Sequence, residues 1–288
     1  KSNGTIQQTH SWFAANDNHI KTLHIKPENL SKIYDSLFEL ITVNSTCINN
    51  SWNSFTEKII ANSAFRFFID LDWKLSDIKS QYTTLKQDII DIVSLLKSSV
   101  IEFTKMNNLE ILVARRVDYK LHVYFTNLIV TKQSAIKIKN HLDAILKKQK
   151  PKYYFKNVID SSVYSTGLRV IWCHKGLMNK KKLDINIIRT EHESIFGTNT
   201  FREYYTLVNP DTFEDLVVER LHLDITSILT SEPVNFTINN NIVIEATNSK
   251  KSKKCTDNNI ISTKHDLIRE FIGNAGYIGK IDDIIIKT

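Results

Sequence analysis

The chain of 288 residues is long enough for one large domain or two small ones with a sizeable buried core. Hydrophobic residues make up 42% and charged residues 24%, as in a folded globular protein, and no apolar run is long enough to span a bilayer, so we expect no membrane association. The net charge of +7 favours polyanionic partners, nucleic acid first among them, although a merely basic protein carries the same charge.

The three cysteines, Cys47, Cys173 and Cys255, are widely separated and show no paired spacing. This pattern predicts neither a disulfide framework nor a Cys-rich zinc site, and it indicates a reducing compartment. The chain starts at Lys1 without an initiating Met or an apolar signal segment, so we expect it to be a piece of a longer protein.

Hydrophobic spacing predicts helices and strands in mixed order. Helical spacing predicts helices over Asn29–Ile41, 82–106 and about 132–149, and the switch to alternation predicts strands over 65–73, 109–114 and 119–126. A strand pair around 158–172, with a turn at Ser165–Gly167, and short strands with a helix over 184–230 complete the expectation. This order predicts an α+β or α/β fold.

Composition and hydrophobic pattern divide the chain into a folded part and a polar tail. We expect 1–60 to form an N-terminal part of one module and 61–245 to form its core. The Lys- and Asn-rich segment 246–264 has little to bury, which predicts a flexible linker or loop. The remaining residues, 265–288, are predicted to be a C-terminal helical segment with a helix at His265–Ile272.

Two acids lie inside the apolar run Phe65–Trp73. Because successive side chains of a strand point to opposite faces, Asp70 and Asp72 share one face while apolar neighbours anchor the other. Such a pair suits divalent ions about 4 Å apart, and Mg²⁺ or Mn²⁺ prefers these oxygen ligands. An Asp-x-Asp triplet is also common by chance, and glycosyltransferases use one to hold a metal with a nucleotide-sugar.

The predicted strand Tyr119–Phe125 places Lys120 and His122 on one face, and Arg115 and Arg116 precede it. Together these side chains suit the binding of a triphosphate, because they combine an imidazole with several cationic donors. The alternative is that His122 is an ordinary structural residue of a strand.

A third segment, Val158–Lys175, adds another acid and two more cations. Asp160 ends an apolar run, and Arg169 follows nine residues later. If a strand continues after Gly167, Arg169 and Lys175 share a face. Acids that bind metals beside cations that bind phosphates are what phosphoryl transfer requires.

These three segments, in this order, resemble the archaeo-eukaryotic primase superfamily. The similarity is greatest to the N-terminal primase domain of the primase-helicases of large cytoplasmic DNA viruses, such as African swine fever virus and the poxviruses. In that group the third acid is followed by Val-Tyr, Leu-Arg and Lys, as it is here by Val163-Tyr164, Leu168-Arg169 and Lys175. Many relatives have Ser where this chain has Lys120, two residues before the His, which puts the phosphate-binding role of that position in question.

The resemblance implies an α+β primase core of two α/β units, in which a sheet similar to an RNA-recognition motif carries the catalytic acids. It implies a template-directed DNA primase or polymerase that makes primers from nucleoside triphosphates with two Mg²⁺ or Mn²⁺ ions. The implied catalytic and metal-binding residues are Asp70, Asp72 and Asp160. The expected nucleotide ligands are His122, Arg169 and Lys175, together with Lys120, Arg115 and Arg116.

The expected partners are a single-stranded DNA template, nucleoside triphosphates and a helicase portion of the same polypeptide, with this part of the chain monomeric. The expected location is the viral replication site in the host cytoplasm. Two other interpretations stay open. One is a different metal-dependent nuclease or nucleotidyltransferase, and the other is a nucleic-acid-binding module without catalysis.

Overall fold

The computed structural model describes residues 9–13, 21–43, 54–60, 63–78, 83–117, 119–155, 157–174, 186–187, 189–195, 197–198, 204–217, 219–230, 234–236 and 284–287. Lys175, the predicted linker 246–264 and the predicted helix His265–Ile272 lie outside the described residues. Among the described residues, no helix combines the length and apolarity that crossing a membrane requires.

The described strands form two antiparallel sheets. The strands are β1 (His10–Phe13), β2 (Lys21–Ile25), β3 (Ser54–Glu57), β4 (Phe65–Asp72), β5 (Ile111–Val117), β6 (Lys120–Val130), β7 (Leu168–Arg169), β8 (Thr206–Val208) and β9 (Ile284–Lys287). One sheet has the order β7-β3-β1-β2-β9, and the other has the order β4-β6-β5-β8.

The described helices are α1 (Pro27–Val43), α2 (Leu75–Ile78), α3 (Leu85–Thr104), α4 (Lys132–Gln149), α5 (Val163–Thr166) and α6 (Arg220–Thr226), with a 3-10 turn at Pro151–Tyr153 and further helix over 189–195. The predicted helices around Asn29–Ile41, 82–106 and 132–149 are confirmed as α1, α3 and α4. The predicted strands over 65–73, 109–114 and 119–126 are confirmed as β4, β5 and β6.

Local chemistry sets the ends of the long helices. At the start of α4, the Thr131 side chain accepts a hydrogen bond from the Ser134 backbone N–H at 3.2 Å, which satisfies one of the free donors of the first turn. Lys147 and Lys148 lie in the last turn of α4, where cations interact favourably with the helix dipole. The helix α3 ends at Lys105, whose φ of 57° lies in the left-handed region.

One face of the four-stranded sheet is mostly apolar. Ile69 and Leu71 of β4 and Val123 of β6 are completely buried, and so are Val113 of β5 and Leu142 of α4. The helix α4 contacts both β4 and α3, so the apolar stripes of the two helices and this face form one core. Burial of this face fixes the register of β4, because a slip by one residue would bury its acids.

The two predicted parts of the folded module share a sheet. Strands β1 to β3 come from the expected N-terminal part, and β7 comes from the expected core, yet β3 and β7 are neighbours through the pairs Thr56–Arg169 and Glu57–Leu168. Within the segment 265–288, predicted to be helical, the structure describes Ile284–Lys287, and these residues form the strand β9. The domain limits themselves stay predictions.

The prediction of a strand pair around 158–172 is wrong. Ile159 forms an isolated bridge with Leu71, and Val163–Thr166 form the helix α5. The turn into α5 is local, because the Asp160 carboxylate accepts hydrogen bonds from both the backbone N–H and the hydroxyl of Ser162 at 2.7 Å. The strand after Gly167 has only two residues and ends before Trp172, whose φ of 61° is incompatible with a continued strand.

Gly167 connects α5 to β7 at a position that excludes any side chain. Its φ is 95°, and a Cβ atom there would lie 2.1 Å from the Glu57 carbonyl oxygen of β3. We therefore expect Gly167→Ala to destabilise the fold by roughly 2–4 kcal/mol, measured by thermal or denaturant unfolding, since backbone strain adds to a clash with backbone.

Gly197→Ala is the matched control for this prediction. Gly197 has a similar φ of 99°, but a Cβ atom added there meets nothing within 4 Å. Its substitution carries only the conformational strain, about 1 kcal/mol. Equal losses of stability in the two variants would contradict the close approach of Gly167 to β3.

Candidate active site

The end of β4 presents Asp70 and Asp72 directly opposite two nitrogen-bearing side chains of β6. The register pairs Asp70 with His122 and Asp72 with Lys120. The Lys120 ammonium group forms an ion pair with the Asp72 carboxylate. His122 Nε2 lies 3.8 Å from Asp70 Oδ1. The predicted alternation of β4 is thus present, with the acids on one face and buried Ile69 on the other.

Backbone hydrogen bonds hold Asp160 beside these two acids. The Asp160 N–H donates to the Asp70 carbonyl and the Asp72 N–H donates to the Val158 carbonyl, both at 2.9 Å. The buried hydroxyl of Tyr164 donates to the Phe68 carbonyl at 2.8 Å, which fastens α5 to the same strand. The structure therefore brings the three predicted acids together, with the third reaching β4 through an irregular segment.

Asp70 is the most electrostatically perturbed of the three acids. Its Oδ1 atom is buried and has no hydrogen-bond partner among the described residues. Burial raises the pKa of Asp70 to about 7, and repulsion from Asp72 and Asp160 adds to this effect while Arg169 and Lys120 oppose it. A buried carboxylate oxygen without a partner is unfavourable unless a cation accompanies it. This orphaned oxygen and the set of oxygen donors fit Mg²⁺ or Mn²⁺.

The carboxylates do not converge on one point. Among the described residues, no group of three or more His, Cys, Asp or Glu side chains is arranged to hold a metal ion. Asp72 contacts Lys120, whereas Asp160 accepts hydrogen bonds from Ser162. A divalent ion bound by all three acids therefore requires their side chains to move closer together.

The side chains of His122, Tyr205 and Arg169 stack beside the acids and join the two sheets. The Tyr205 ring stacks on the His122 ring, with 3.6 Å between their centroids and an interplanar angle of 21°. The Arg169 guanidinium carbon lies 5.2 Å from the centroid of the same Tyr205 ring. Arg169 belongs to β7 of the five-stranded sheet, and its Nη1 atom is buried with no hydrogen-bond partner among the described residues. The donors of this nitrogen are thus unsatisfied, and an anionic ligand that reached it would accept hydrogen bonds from it.

The two arginines of β5 point to different places. A register shift between Arg115 and Val117 makes Arg116 an extra residue, and its side chain is buried near the site. Burial lowers the pKa of Arg116, as does nearby Arg169, while Tyr205, Tyr119 and Asp72 raise it.

Arg115, in contrast, pairs with Asp215 at 3.3 Å and lies over the Phe213 ring at 5.5 Å. Its strand position is opposite Leu121, on the face that the acids do not share. The structure therefore brings Arg116, and not Arg115, to the acids.

Sequence reasoning missed two tyrosines of this site. The Tyr124 hydroxyl lies 3.2 Å from His122 Nδ1, and this hydrogen bond orients the imidazole ring. Tyr124 was detectable, since strand alternation places it on the face of His122. Tyr205 was not, because its position depends on the pairing of β8 with β5 about 90 residues earlier in the chain, and no local signal reports that pairing.

Comparison with protein-family models finds a match for this chain. The model of the C962R protein N-terminal AEP domain, where AEP denotes archaeo-eukaryotic primase, matches residues 16–189, which is more than half of the chain. The matched range contains the three acids, His122 and Arg169. The observed α+β architecture with two antiparallel sheets agrees with that fold. A comparison with curated proteins found no match.

Proposed function

The chain belongs to the family of C962R N-terminal archaeo-eukaryotic primase domains, and from this premise we propose that it is a template-directed primase. Membership by itself supports an enzyme of the primase or nucleotidyltransferase type, from a group that generally depends on divalent metals. The finer proposal is the synthesis of short primers on single-stranded DNA from nucleoside triphosphates by two-metal phosphoryl transfer.

One observation carries the proposal most strongly. The backbone holds three acids side by side at the end of β4, one of them has a buried oxygen without a hydrogen-bond partner among the described residues, and cationic side chains lie beside them on β6 and β7. This arrangement offers carboxylates for metal ions beside cations for phosphates, and phosphoryl transfer requires both kinds of group.

In this proposal Asp70, Asp72 and Asp160 hold two Mg²⁺ or Mn²⁺ ions. Bound there, the ions supply the charge that activates the attacking hydroxyl group and stabilises the pyrophosphate that leaves. The carboxylates orient the reacting groups, because their backbone positions are fixed by strand pairing.

The cations of the site bind the triphosphate. Arg169 offers its planar set of donors, and His122 offers Nε2 from a ring held between Tyr205 and Tyr124. Arg116 adds positive charge from the interior. Lys175 remains a proposed ligand outside the described residues, and the proposed role of Arg115 is the one that its placement supports least.

The proposal includes partners beyond the site. A single-stranded DNA template and nucleoside triphosphates are the substrates, and a helicase portion of the same polypeptide is the proposed neighbour. The proposed setting is a viral replication site in the host cytoplasm. Support for these statements comes from the resemblance and from the basic charge of +7, which suits a nucleic-acid partner.

The test uses a single-stranded DNA template, labelled nucleotides and Mn²⁺, with Asp70→Ala/Asp72→Ala as the inactive comparison. Short labelled oligonucleotides from the wild type alone would establish primer synthesis. Shortening of the template would indicate a nuclease. DNA binding by both proteins without product from either would indicate a binding module.

Tyr205 gives a more specific prediction for this site. Tyr205→Leu removes the ring that separates His122 from Arg169, so we expect the KM for nucleotide to rise about tenfold, with a smaller change in kcat. Tyr205→Phe keeps the ring and is expected to stay within about twofold of the wild type. Steady-state kinetics of primer extension measures both. An equal rise of KM in Tyr205→Phe and Tyr205→Leu would show that the hydroxyl group of Tyr205 matters more than its stacked ring.

A further inference from the structure

Lys120 forms an ion pair with Asp72, which is one of the proposed metal ligands. Its Cα is directly opposite that of Asp72 in the β4–β6 register, and its ammonium group forms an ion pair with the Asp72 carboxylate. The Lys120 side chain is 21% exposed and the Asp72 side chain is 43% exposed, so the pair lies at the open edge of the site. The contact is built into the register of the two strands.

Asp70 and Asp72 therefore differ in what balances their charge. Asp72 has an ammonium group of the same chain in contact with it, whereas the buried Oδ1 atom of Asp70 lacks a hydrogen-bond partner among the described residues and has His122 Nε2 3.8 Å away. A divalent ion shared by the two acids must displace Lys120 or bind next to its positive charge. Either route weakens metal binding, through competition or through repulsion.

We propose that Lys120 is a displaceable countercharge, which holds Asp72 until a divalent ion replaces it and then binds the triphosphate. This inference rests on the proposed function, since it assigns a regulatory step to the same site. Lysine suits the exchange because its ammonium group is a point charge on a flexible stem with three donors. An ion pair at an exposed edge is weak, so its replacement by a divalent ion requires little free energy.

The exchange couples metal to nucleotide. An ammonium group released from Asp72 becomes available to phosphates, so each ligand favours binding of the other. The charge of Lys120 thus disfavours metal in the absence of nucleotide and supports nucleotide when metal is present. Loss of this charge is expected to move the two affinities in opposite directions. A lysine that only stabilises the strands would, on removal, weaken both.

The test is titration of the whole chain with Mn²⁺ alone, followed by calorimetry or by electron paramagnetic resonance of the free ion. We expect Lys120→Gln to bind Mn²⁺ roughly three to ten times more tightly than the wild type, because it removes the competing charge. We expect Lys120→Arg, which keeps the charge, to stay within about twofold of the wild type. In primer extension, Lys120→Gln should raise the KM for nucleotide several-fold.

Lys150→Gln is the control for net charge. Lys150 forms a comparable exposed ion pair with Asp91 at 3.4 Å, away from the acids of β4, so its loss is expected to leave Mn²⁺ affinity within about twofold. Asp72→Asn added to Lys120→Gln should abolish the gain, since the gain acts through that carboxylate. Circular dichroism verifies folding, and Lys120→Ser serves as a second neutral variant if Lys120→Gln does not fold.

The outcomes separate this inference from the proposed function. Mn²⁺ binding that is equal in the wild type and in the neutral variants overturns the role of Lys120 and leaves the metal site in place. Absence of Mn²⁺ binding from both the wild type and the neutral variants overturns the metal site and the inference together. Tighter Mn²⁺ binding with weaker nucleotide binding, in the neutral variants alone, supports the exchange.

Discussion

Asp70→Asn is expected to lower the rate of nucleotide transfer by about a thousandfold or more and, at the same time, to make the fold more stable. The loss follows because a neutral amide is a much weaker ligand for a divalent cation than a carboxylate, and Asp70 lies at the centre of the proposed metal site. The gain follows because Asp70 Oδ1 is buried without a hydrogen-bond partner among the described residues, so the charge is unfavourable for folding. Primer synthesis and thermal unfolding of the same preparation measure the two effects.

The gain in stability depends on pH in a defined way. Folding raises the pKa of Asp70 from the ordinary 3.8 to about 7, chiefly through burial, so the folded chain holds this proton more tightly than the unfolded chain. Below the ordinary pKa both states are protonated and Asp70 has no effect. As pH rises through that value the wild type loses stability, until the folded carboxyl has also ionised above about pH 7.

The advantage of Asp70→Asn should therefore be near zero below pH 4 and largest at pH 8, where we expect roughly 1–3 kcal/mol, or a few degrees in Tm. Asp91→Asn removes an exposed acid paired with Lys150 and serves as the control for the change of net charge, which should not make the fold more stable. A variant of Asp70 that keeps its activity, or that is less stable than the wild type at pH 8, would contradict this description of the site.

Arg169→Ala is expected to lower kcat/KM for nucleotide by about a hundredfold. The guanidinium group lies beside Tyr205, and its buried Nη1 atom has no hydrogen-bond partner among the described residues, so a phosphate oxygen would satisfy donors that are unsatisfied here. Charge-assisted hydrogen bonds to phosphate are among the stronger polar contacts in proteins. Arg169→Lys should recover only part of the loss, because an ammonium group lacks the planar set of donors.

Arg115→Ala is the matched control for Arg169. Both substitutions remove an arginine of the predicted nucleotide site, but Arg115 pairs with Asp215 on the face that the acids do not share. We expect its kcat/KM to stay within about threefold of the wild type in steady-state kinetics. Equal losses from the two substitutions would mean that the nucleotide contacts the outer end of β5 as well.

Much of the proposed metal-binding half of the site could be predicted from local sequence. In Phe65–Asp72 the alternation of acids with large apolar residues determines both the strand and the face of each acid, because only one register buries the apolar set. The same reasoning gives His122 and Lys120 a common face on β6. Such features are predictable because the hydrophobic period and the burial they require lie within one short segment.

The proposed phosphate-binding half could be predicted only in part, because it depends on contacts between distant segments. Arg169 reaches the site on a two-residue strand of the other sheet, which the left-handed Gly167 makes possible. The irregular register of β5 directs Arg116 towards the acids and leaves Arg115 on the other face of the sheet. Hydrophobic alternation in the sequence does not reveal an extra residue of this kind. The position of Asp160 after an apolar run was enough to predict it as a site residue, although the strand predicted to precede it is not formed.

The central claim is that the acids of β4 and Asp160 catalyse synthesis directed by a DNA template. The most direct measurement is to incubate the wild type and Asp70→Asn with single-stranded DNA of mixed sequence, all nucleotides and Mn²⁺, and to sequence the products. We expect short oligonucleotides complementary to the template from the wild type and none from the variant. Products unrelated to the template, or equal product from both proteins, would contradict it.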